Sequence, residues 1–132
     1  AIAPNATITS YVQKFGTNDT PRPVTVIGVD TLLARREIAE ALRGKTVSHI
    51  VDGRVGGEQI EIYTCRTVDE WLATMPERAG RDPCGGQFIG YVSAIAGALI
   101  ASQVRKVLTG SPFDSSLMVN VSNLAVARNF QW

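Results

Sequence analysis

Short apolar runs separated by polar, turn-forming segments predict a series of β-strands along the chain. Runs rich in β-branched residues, or with apolar residues at alternate positions, are typical of strands. The predicted strands are Thr7–Phe15, Val24–Val29, Val47–Asp52, Glu58–Tyr63, Leu117–Val121 and Leu124–Arg128. The dense run at 24–29 is typical of a buried parallel strand. The last two strands are separated by Ser122 and Asn123, which predicts a closing β-hairpin with a two-residue loop.

Apolar residues at helical spacing predict helices between these strands. They lie between Asp30 and Gly44, from Thr67 to Met75, and from Gln87 to Thr109. Asp30 is predicted to cap the first helix, and Gly44 to end it. Small residues in the long helix predict that other elements pack closely against it. The whole pattern predicts one α/β domain over residues 1–132, with a mixed sheet.

Composition narrows the class of protein. The 132 residues carry a net charge of +1 without a basic stripe, so we expect no nucleic-acid partner. The apolar stretch Phe88–Ala101 is shorter than the ~20 residues that cross a bilayer, so we expect no membrane span. The two cysteines form no disulfide pattern, which favours a cytoplasmic protein. His49 is the single histidine and there is no C-x-x-C pair, so we expect no zinc site.

Cys84 is the most distinctive candidate for chemistry, because it precedes the long predicted helix. The unpaired N–H groups and the dipole at a helix N-terminus favour thiolate, which can make such a cysteine nucleophilic. The alternative is a small apolar residue that packs at the start of the helix. Cys65 follows a strand and has no helix terminus to activate it, so we interpret it as structural.

The order of these elements resembles the second half of the ThiF/MoeB/HesA adenylating family, which includes the enzymes that activate ubiquitin and ubiquitin-like proteins. The resemblance covers nearly the whole chain. Its motifs are Val26–Asp30 with Ala34 and Arg35, the strand pair Ser48–Tyr63, Cys84 with the helix after it, and Leu117–Phe130. It implies a partial Rossmann-like unit with a mixed sheet, a long helix in the C-terminal half and a closing β-hairpin.

The resemblance also implies an activity. Asp30 would bind Mg²⁺ together with ATP, and Arg35 would pair with Asp30 or with a phosphate. The C-terminus of a ubiquitin-like or sulfur-carrier protein would be adenylated, and Cys84 would be the catalytic residue that takes the acyl group as a thioester.

Departures from the family pattern limit these expectations. Thr31 follows Asp30 where the family usually has Asn, and the zinc-binding cysteine pairs of bacterial members are absent. The family's first half, with its Gly-rich nucleotide loop, has no counterpart in this sequence. We therefore expect ATP and Mg²⁺ to bind a complete domain and not this chain alone. We also expect the chain to pair with itself as a homodimer or with a missing N-terminal half.

Other interpretations stay open at this point. Asp30 is equally well explained as an N-cap alone, and Arg35 as part of a solvated helix face. Asp52 and Arg54 are interpreted as turn or salt-bridge residues. For the whole chain, the main alternative is a non-catalytic dimerisation or interaction module derived from the same fold. A cysteine-dependent hydrolase would need His49 as its base, although we interpret His49 as structural.

Overall fold

The computed structural model describes residues 7–76 and 89–130, and within these ranges the predicted α/β class is confirmed. The elements are β1 (Val24–Ile27), α1 (Leu32–Leu42), β2 (His49–Gly56), β3 (Gln59–Cys65), α2 (Val68–Ala73), α3 (Gly90–Leu108), β4 (Ser116–Asn120) and β5 (Ala125–Arg128). Cys84 and the first residues of the predicted long helix lie outside the described residues.

The strands form one five-stranded mixed sheet in the order β1-β2-β3-β4-β5. The β1–β2 pair is parallel and joined through α1, whereas every other pair is antiparallel. A single parallel pair with a helical crossover, extended by a meander, is a partial Rossmann-like unit. Within the ranges that the structure describes, β1 and β5 are the two edge strands.

Helices cover both faces of this sheet, because successive side chains of a strand point to opposite faces. Ile50 packs with residues of α1 and α2 in one apolar cluster, which includes the fully buried Trp71. Val51, the next residue of β2, packs with Val92 and Ala96 of α3 in a second cluster on the other face. The sheet therefore separates two cores.

Threonine side chains cap both short helices. Thr31 Oγ1 accepts a hydrogen bond from Ala34 N at 3.1 Å, and Thr67 Oγ1 accepts one from Glu70 N at 3.0 Å. The prediction that Asp30 is the cap of α1 is therefore wrong, because the last extended residue before the helix is Thr31. The predicted start of the second helix at Thr67 is confirmed. So is the end of α1 at Gly44, whose φ of +72° suits glycine.

α3 packs on the sheet along a narrow stripe. Only Val92, Ala96 and Gln103 are buried among its residues. The expectation that its small residues are closely packed is wrong, because Ala94, Gly97, Ala98 and Ala101 are exposed. No helix within the described ranges is both long enough and apolar enough to cross a bilayer.

Gly53 lies in the middle of β2, where Ile100 of α3 packs against the strand. A Cβ at this position would lie 2.4 Å from Ile100 Cδ1 of α3. The turn between β2 and β3 is made at Gly57, whose φ is +59°. Gly53 therefore permits close packing of the helix, not a turn.

The predicted strand Thr7–Phe15 is wrong, since the described residues before β1 form no regular secondary structure. Ile8, Tyr11 and Val12 are 89%, 75% and 103% exposed. An alternating pattern becomes a strand only where a neighbouring strand accepts its hydrogen bonds, and β1 is not paired with this segment.

The predicted closing hairpin is confirmed, with β4 and β5 antiparallel. Its loop spans residues 121–124 instead of two residues, and Leu124 adopts a φ of +56°. Asp114 fastens the hairpin to α3, because it accepts hydrogen bonds from Arg128 at 2.9 Å and from Lys106 at 3.2 Å. Burial acts to raise the pKa of Asp114, but these hydrogen bonds and that from Gln103 outweigh it and lower the pKa below its ordinary value.

Candidate functional site

The edge of the sheet where β1 and β2 end is a candidate ligand site. In open α/β sheets, ligands bind beyond the carboxyl ends of parallel strands. At this edge lie Asp30, the first turn of α1 and the β2–β3 turn. The N-terminal end of α3 is held here too, because the Tyr91 hydroxyl donates a hydrogen bond to the Glu58 carboxylate.

Asp30 follows β1 and is exposed. Within the described part of the chain it makes no hydrogen bond or ion pair. Its neighbour Thr31 satisfies the N-terminus of α1, so the Asp30 carboxylate is not used as a cap. A carboxylate at the end of a strand without a structural role is free to bind a ligand.

Arg35 is not on a solvated helix face and does not pair with Asp30, because it is fully buried against Asp52. Its Nε lies 3.0 and 3.2 Å from the two oxygens of Asp52. Its other nitrogens donate to the carbonyl oxygens of Thr31 and Gly53. The guanidinium therefore fastens the first turn of α1 to β2, and these contacts compete with any phosphate.

Asp52 is the centre of a buried polar network that crosses three elements. Besides Arg35, it accepts hydrogen bonds from Arg54 Nε at 2.8 Å and Trp71 Nε1 at 3.0 Å. Arg54 also donates to both oxygens of Thr74 and stacks on Tyr63, with its Cζ 4.3 Å from the ring centre. Asp52 thus joins α1, β2 and α2, and one carboxylate is shared by two arginines.

A cleft of about 300 Å³ opens beside this network at the same edge of the sheet. Its walls include Leu32, Arg54, Glu61, Tyr63 and Met75, so it is mostly apolar with one cation and one carboxylate. Pro76 is the last described residue before the segment that contains Cys84. The description resumes at Ile89, immediately before α3, and the start of α3 lies at this edge too. The residues on both sides of the segment that contains Cys84 therefore lie at the same edge of the sheet as Asp30.

The residues at this edge meet only part of what Mg²⁺ and ATP require. Among the described residues there is no group of three or more histidine, cysteine, aspartate or glutamate side chains that could hold a metal ion. Mg²⁺ is commonly bound by one or two carboxylates and by the phosphates of its nucleotide, so Asp30 alone fits as one ligand of a magnesium–nucleotide complex. No Gly-rich loop between a strand and a helix is present in the sequence to hold the phosphates.

Cys65 lies in the core under α2 and is 5% exposed. Burial, followed by the charges of Glu70 and Asp52, raises the pKa of its thiol to about 12. It is therefore protonated at neutral pH, in agreement with its interpretation as a structural residue. Cys84, the predicted nucleophile, lies outside the described residues.

His49 lies at the other end of β2, away from Asp30. Its ring packs edge-on against Phe113, with ring centres 5.3 Å apart. His49 therefore has a packing role, in agreement with its interpretation as a structural residue.

Sequence reasoning underestimated Asp52 and Arg54, which proved to be buried salt-bridge residues. A signal was available in the alternation of β2. Ile50, Asp52 and Arg54 share one face of the strand, because side chains alternate along it. The apolar Ile50 indicates that this face is buried. Buried charges are paired, so Asp52 and Arg54 were expected to form a salt bridge. The identity of the partner, Arg35, is not encoded in that pattern.

Comparisons with known proteins assign no family to the chain. No protein-family model matches it. No curated protein matches it significantly.

Proposed function

We propose that this chain supplies one half of an ATP-dependent enzyme of the ThiF/MoeB/HesA type, which adenylates the C-terminal carboxylate of a ubiquitin-like or sulfur-carrier protein. In this reaction the carboxylate attacks the α-phosphorus of ATP and pyrophosphate leaves. Asp30 would be a ligand of the Mg²⁺ that accompanies the nucleotide. Arg35 would act indirectly, by holding the first turn of α1 against β2 through Asp52.

The position of Asp30 carries this proposal. It is an exposed carboxylate without a structural partner among the described residues, at the carboxyl end of the parallel strand β1. β1 is also an edge strand, so a further parallel strand from a nucleotide-binding half has a place to pair beside Asp30. The Gly-rich loop missing from this sequence would then come from that half.

ATP–pyrophosphate exchange tests the proposal when the chain is combined with a nucleotide-binding half that carries the Gly-rich loop. We expect exchange that depends on a carrier protein, and a loss of about 100-fold in Asp30→Asn, the scale of losing one charged group at the reacting phosphate. Asp69→Asn is the matched control, because Asp69 is an exposed aspartate at the start of α2. Exchange that is equal in Asp30→Asn and Asp69→Asn would exclude the assigned role of Asp30.

The isolated chain is expected to bind ATP weakly or not at all. Without a phosphate loop, the Asp30 carboxylate repels the phosphates unless Mg²⁺ bridges them. Isothermal titration calorimetry with Mg-ATP checks this expectation. Micromolar binding to the chain alone would show that it does not need a second half.

Cys84 is proposed to act in a second step, in which its thiolate attacks the acyl adenylate, forms a thioester and releases AMP. Alkylation with iodoacetamide across pH, followed by peptide mapping, tests its reactivity. We expect Cys84 to be labelled before Cys65, whose pKa is raised to about 12 by burial. Labelling of Cys65 first in the folded protein would remove Cys84 from the mechanism.

A non-catalytic interaction module is the second candidate, and the uncovered edges of the sheet favour it. Every residue of the edge strand β5 is exposed. A stable complex with a nucleotide-binding half, but without pyrophosphate exchange for any carrier protein, would support this candidate over the enzyme.

A further inference from the structure

A large cleft among the described residues lies at the end of the sheet opposite Asp30. It has a volume of about 740 Å³ and is bounded by the start of β2, the end of β3 and the loop after α3. This size is ordinary for a site that takes a small organic molecule. The cleft lies at the opposite end of the strands from the proposed nucleotide site, so a ligand there is independent of the proposed adenylation.

Arg66 is the arginine that lines this cleft. Its guanidinium stacks over Phe113, with Cζ 5.6 Å from the ring centre. Its side chain makes no hydrogen bond or ion pair with the residues that the structure describes. Stacking on a ring orients the guanidinium fork, and a fork of this shape matches the oxygens of a carboxylate or phosphate.

Thr64 supplies a second, independent observation. It is 3% exposed and lines the same cleft, yet its hydroxyl has no hydrogen-bond partner within the described ranges. A buried hydroxyl without a partner is destabilising, so such groups need an explanation. An acceptor bound at the floor of the cleft would satisfy it.

The apolar and acidic groups around Arg66 narrow the ligand class. Phe113 and Val107 line the cleft and offer an apolar surface. Glu70 also lines it, but its carboxylate already accepts a hydrogen bond from the Arg66 backbone N–H at 2.7 Å. We propose that this cleft binds a small organic anion, whose carboxylate or phosphate group meets Arg66 and Thr64 while its apolar body lies against Phe113.

Amide chemical shifts in the ¹⁵N spectrum of the full chain test this proposal with four probes: benzoate, phenyl phosphate, inorganic phosphate and benzamidine. We expect saturable shifts around residues 64–66 and 110–115 with benzoate or phenyl phosphate. Benzamidine has nearly the shape of benzoate and the opposite charge, so it should leave these amides unchanged. Inorganic phosphate lacks the apolar body and should bind more weakly than phenyl phosphate. Equal shifts with benzoate and benzamidine would overturn the proposal.

Two variants test the residues. Arg66→Gln, at an exposed position where refolding problems are not expected, should weaken the better anionic probe about tenfold, because a charge-assisted hydrogen bond is lost. Arg105→Gln is the control, since Arg105 is an exposed arginine of α3 that does not line the cleft. Thr64→Val removes the hydroxyl at constant shape and should also weaken binding. Unchanged affinity in Arg66→Gln, or in Thr64→Val, would overturn the corresponding contact and with it the proposed site.

Discussion

At the scale of single residues, the protein is organised around buried charges that are paired. Asp52 and Arg35 are both fully buried, and Arg54 is 4% exposed. Burying an unpaired charge is very unfavourable, so each member of this group depends on the others. Their hydrogen bonds to Trp71, Thr31 and Thr74 complete the network.

Asp52→Asn is expected to lower the free energy of unfolding by about 3–5 kcal/mol, because two buried arginines would lose their only carboxylate in the network. Urea denaturation followed by circular dichroism measures the change. Asp69→Asn is the control, since Asp69 and Arg43 form an exposed pair at 3.4 Å, and it should cost less than about 1 kcal/mol. Equal effects of the two substitutions would contradict the role of Asp52.

Cys65 is expected to make stability fall at alkaline pH. Its pKa is raised from 9.0 to about 12 in the folded protein by burial first, and then by Glu70 and Asp52. Between these values the unfolded chain releases the thiol proton while the folded chain retains it, so rising pH favours unfolding. The contribution is fully present below pH 9 and is lost as the pH rises towards 12.

The comparison of wild type with Cys65→Ala isolates this effect from other groups that titrate in the same range. The stability advantage of wild type should shrink by about 1 kcal/mol between pH 8 and pH 10, as expected for one unit of pH above the ordinary pKa. Chemical denaturation at the two pH values gives the difference. A constant advantage would show that the thiol is not desolvated in solution.

At the scale of elements, α3 can pack close to β2 because Gly53 has no side chain. The space a Cβ would fill at Gly53 is occupied by Ile100 Cδ1. Gly97 is the contrasting case, since a Cβ there would meet no atom within 4 Å. A side chain at position 53 would therefore clash with α3, whereas a side chain at position 97 would not clash with any described residue.

Gly53→Ala is expected to destabilise the protein by about 1–3 kcal/mol through overpacking. Ile100→Val removes Cδ1, so the same substitution should cost at least about 1 kcal/mol less in that background. A double-mutant cycle by urea denaturation measures this coupling. Gly97→Ala is the control and should stabilise α3 by about 0.5–1 kcal/mol, because alanine favours helix. Absence of coupling between positions 53 and 100 would contradict the close approach of α3.

At the scale of the whole molecule, two edges of the sheet are unpaired among the described residues, and the segment before β1 exposes apolar side chains. Val26 of β1 is 49% exposed and Val126 of β5 is 60% exposed. Ile8, Tyr11 and Val12, in the segment before β1, are largely exposed. Unpaired strand edges with apolar side chains recruit other strands.

We expect the isolated chain to self-associate with rising concentration through the β1 edge, in the absence of a nucleotide-binding half. Val26→Lys should weaken this association, because a charge on an edge strand opposes pairing. Val126→Lys on β5 is the matched control and should leave it unchanged. Sedimentation velocity over a range of concentrations measures both. Loss of association only in Val126→Lys would move the interface to the hairpin.

The sequence by itself determined the class of fold and most of the elements. The strand runs from Val24 onward, the start of α2 at Thr67, Gly44 and the closing hairpin were readable, since each depends on residues within one or two turns of one another. The Asp30 cap was wrong by a single residue, because Asp and Thr both favour that position and the choice depends on where the helical backbone begins.

Only the tertiary structure decided which segments meet. It paired Arg35 with Asp52 in a core, turned the small residues of α3 to solvent and left the segment at 7–15 without a neighbouring strand. It also brought Thr64, Arg66 and Phe113 to one cleft from β3 and the loop after α3. Periodicity records which face of an element is apolar, but partners distant in the sequence are chosen by the packing of the whole chain.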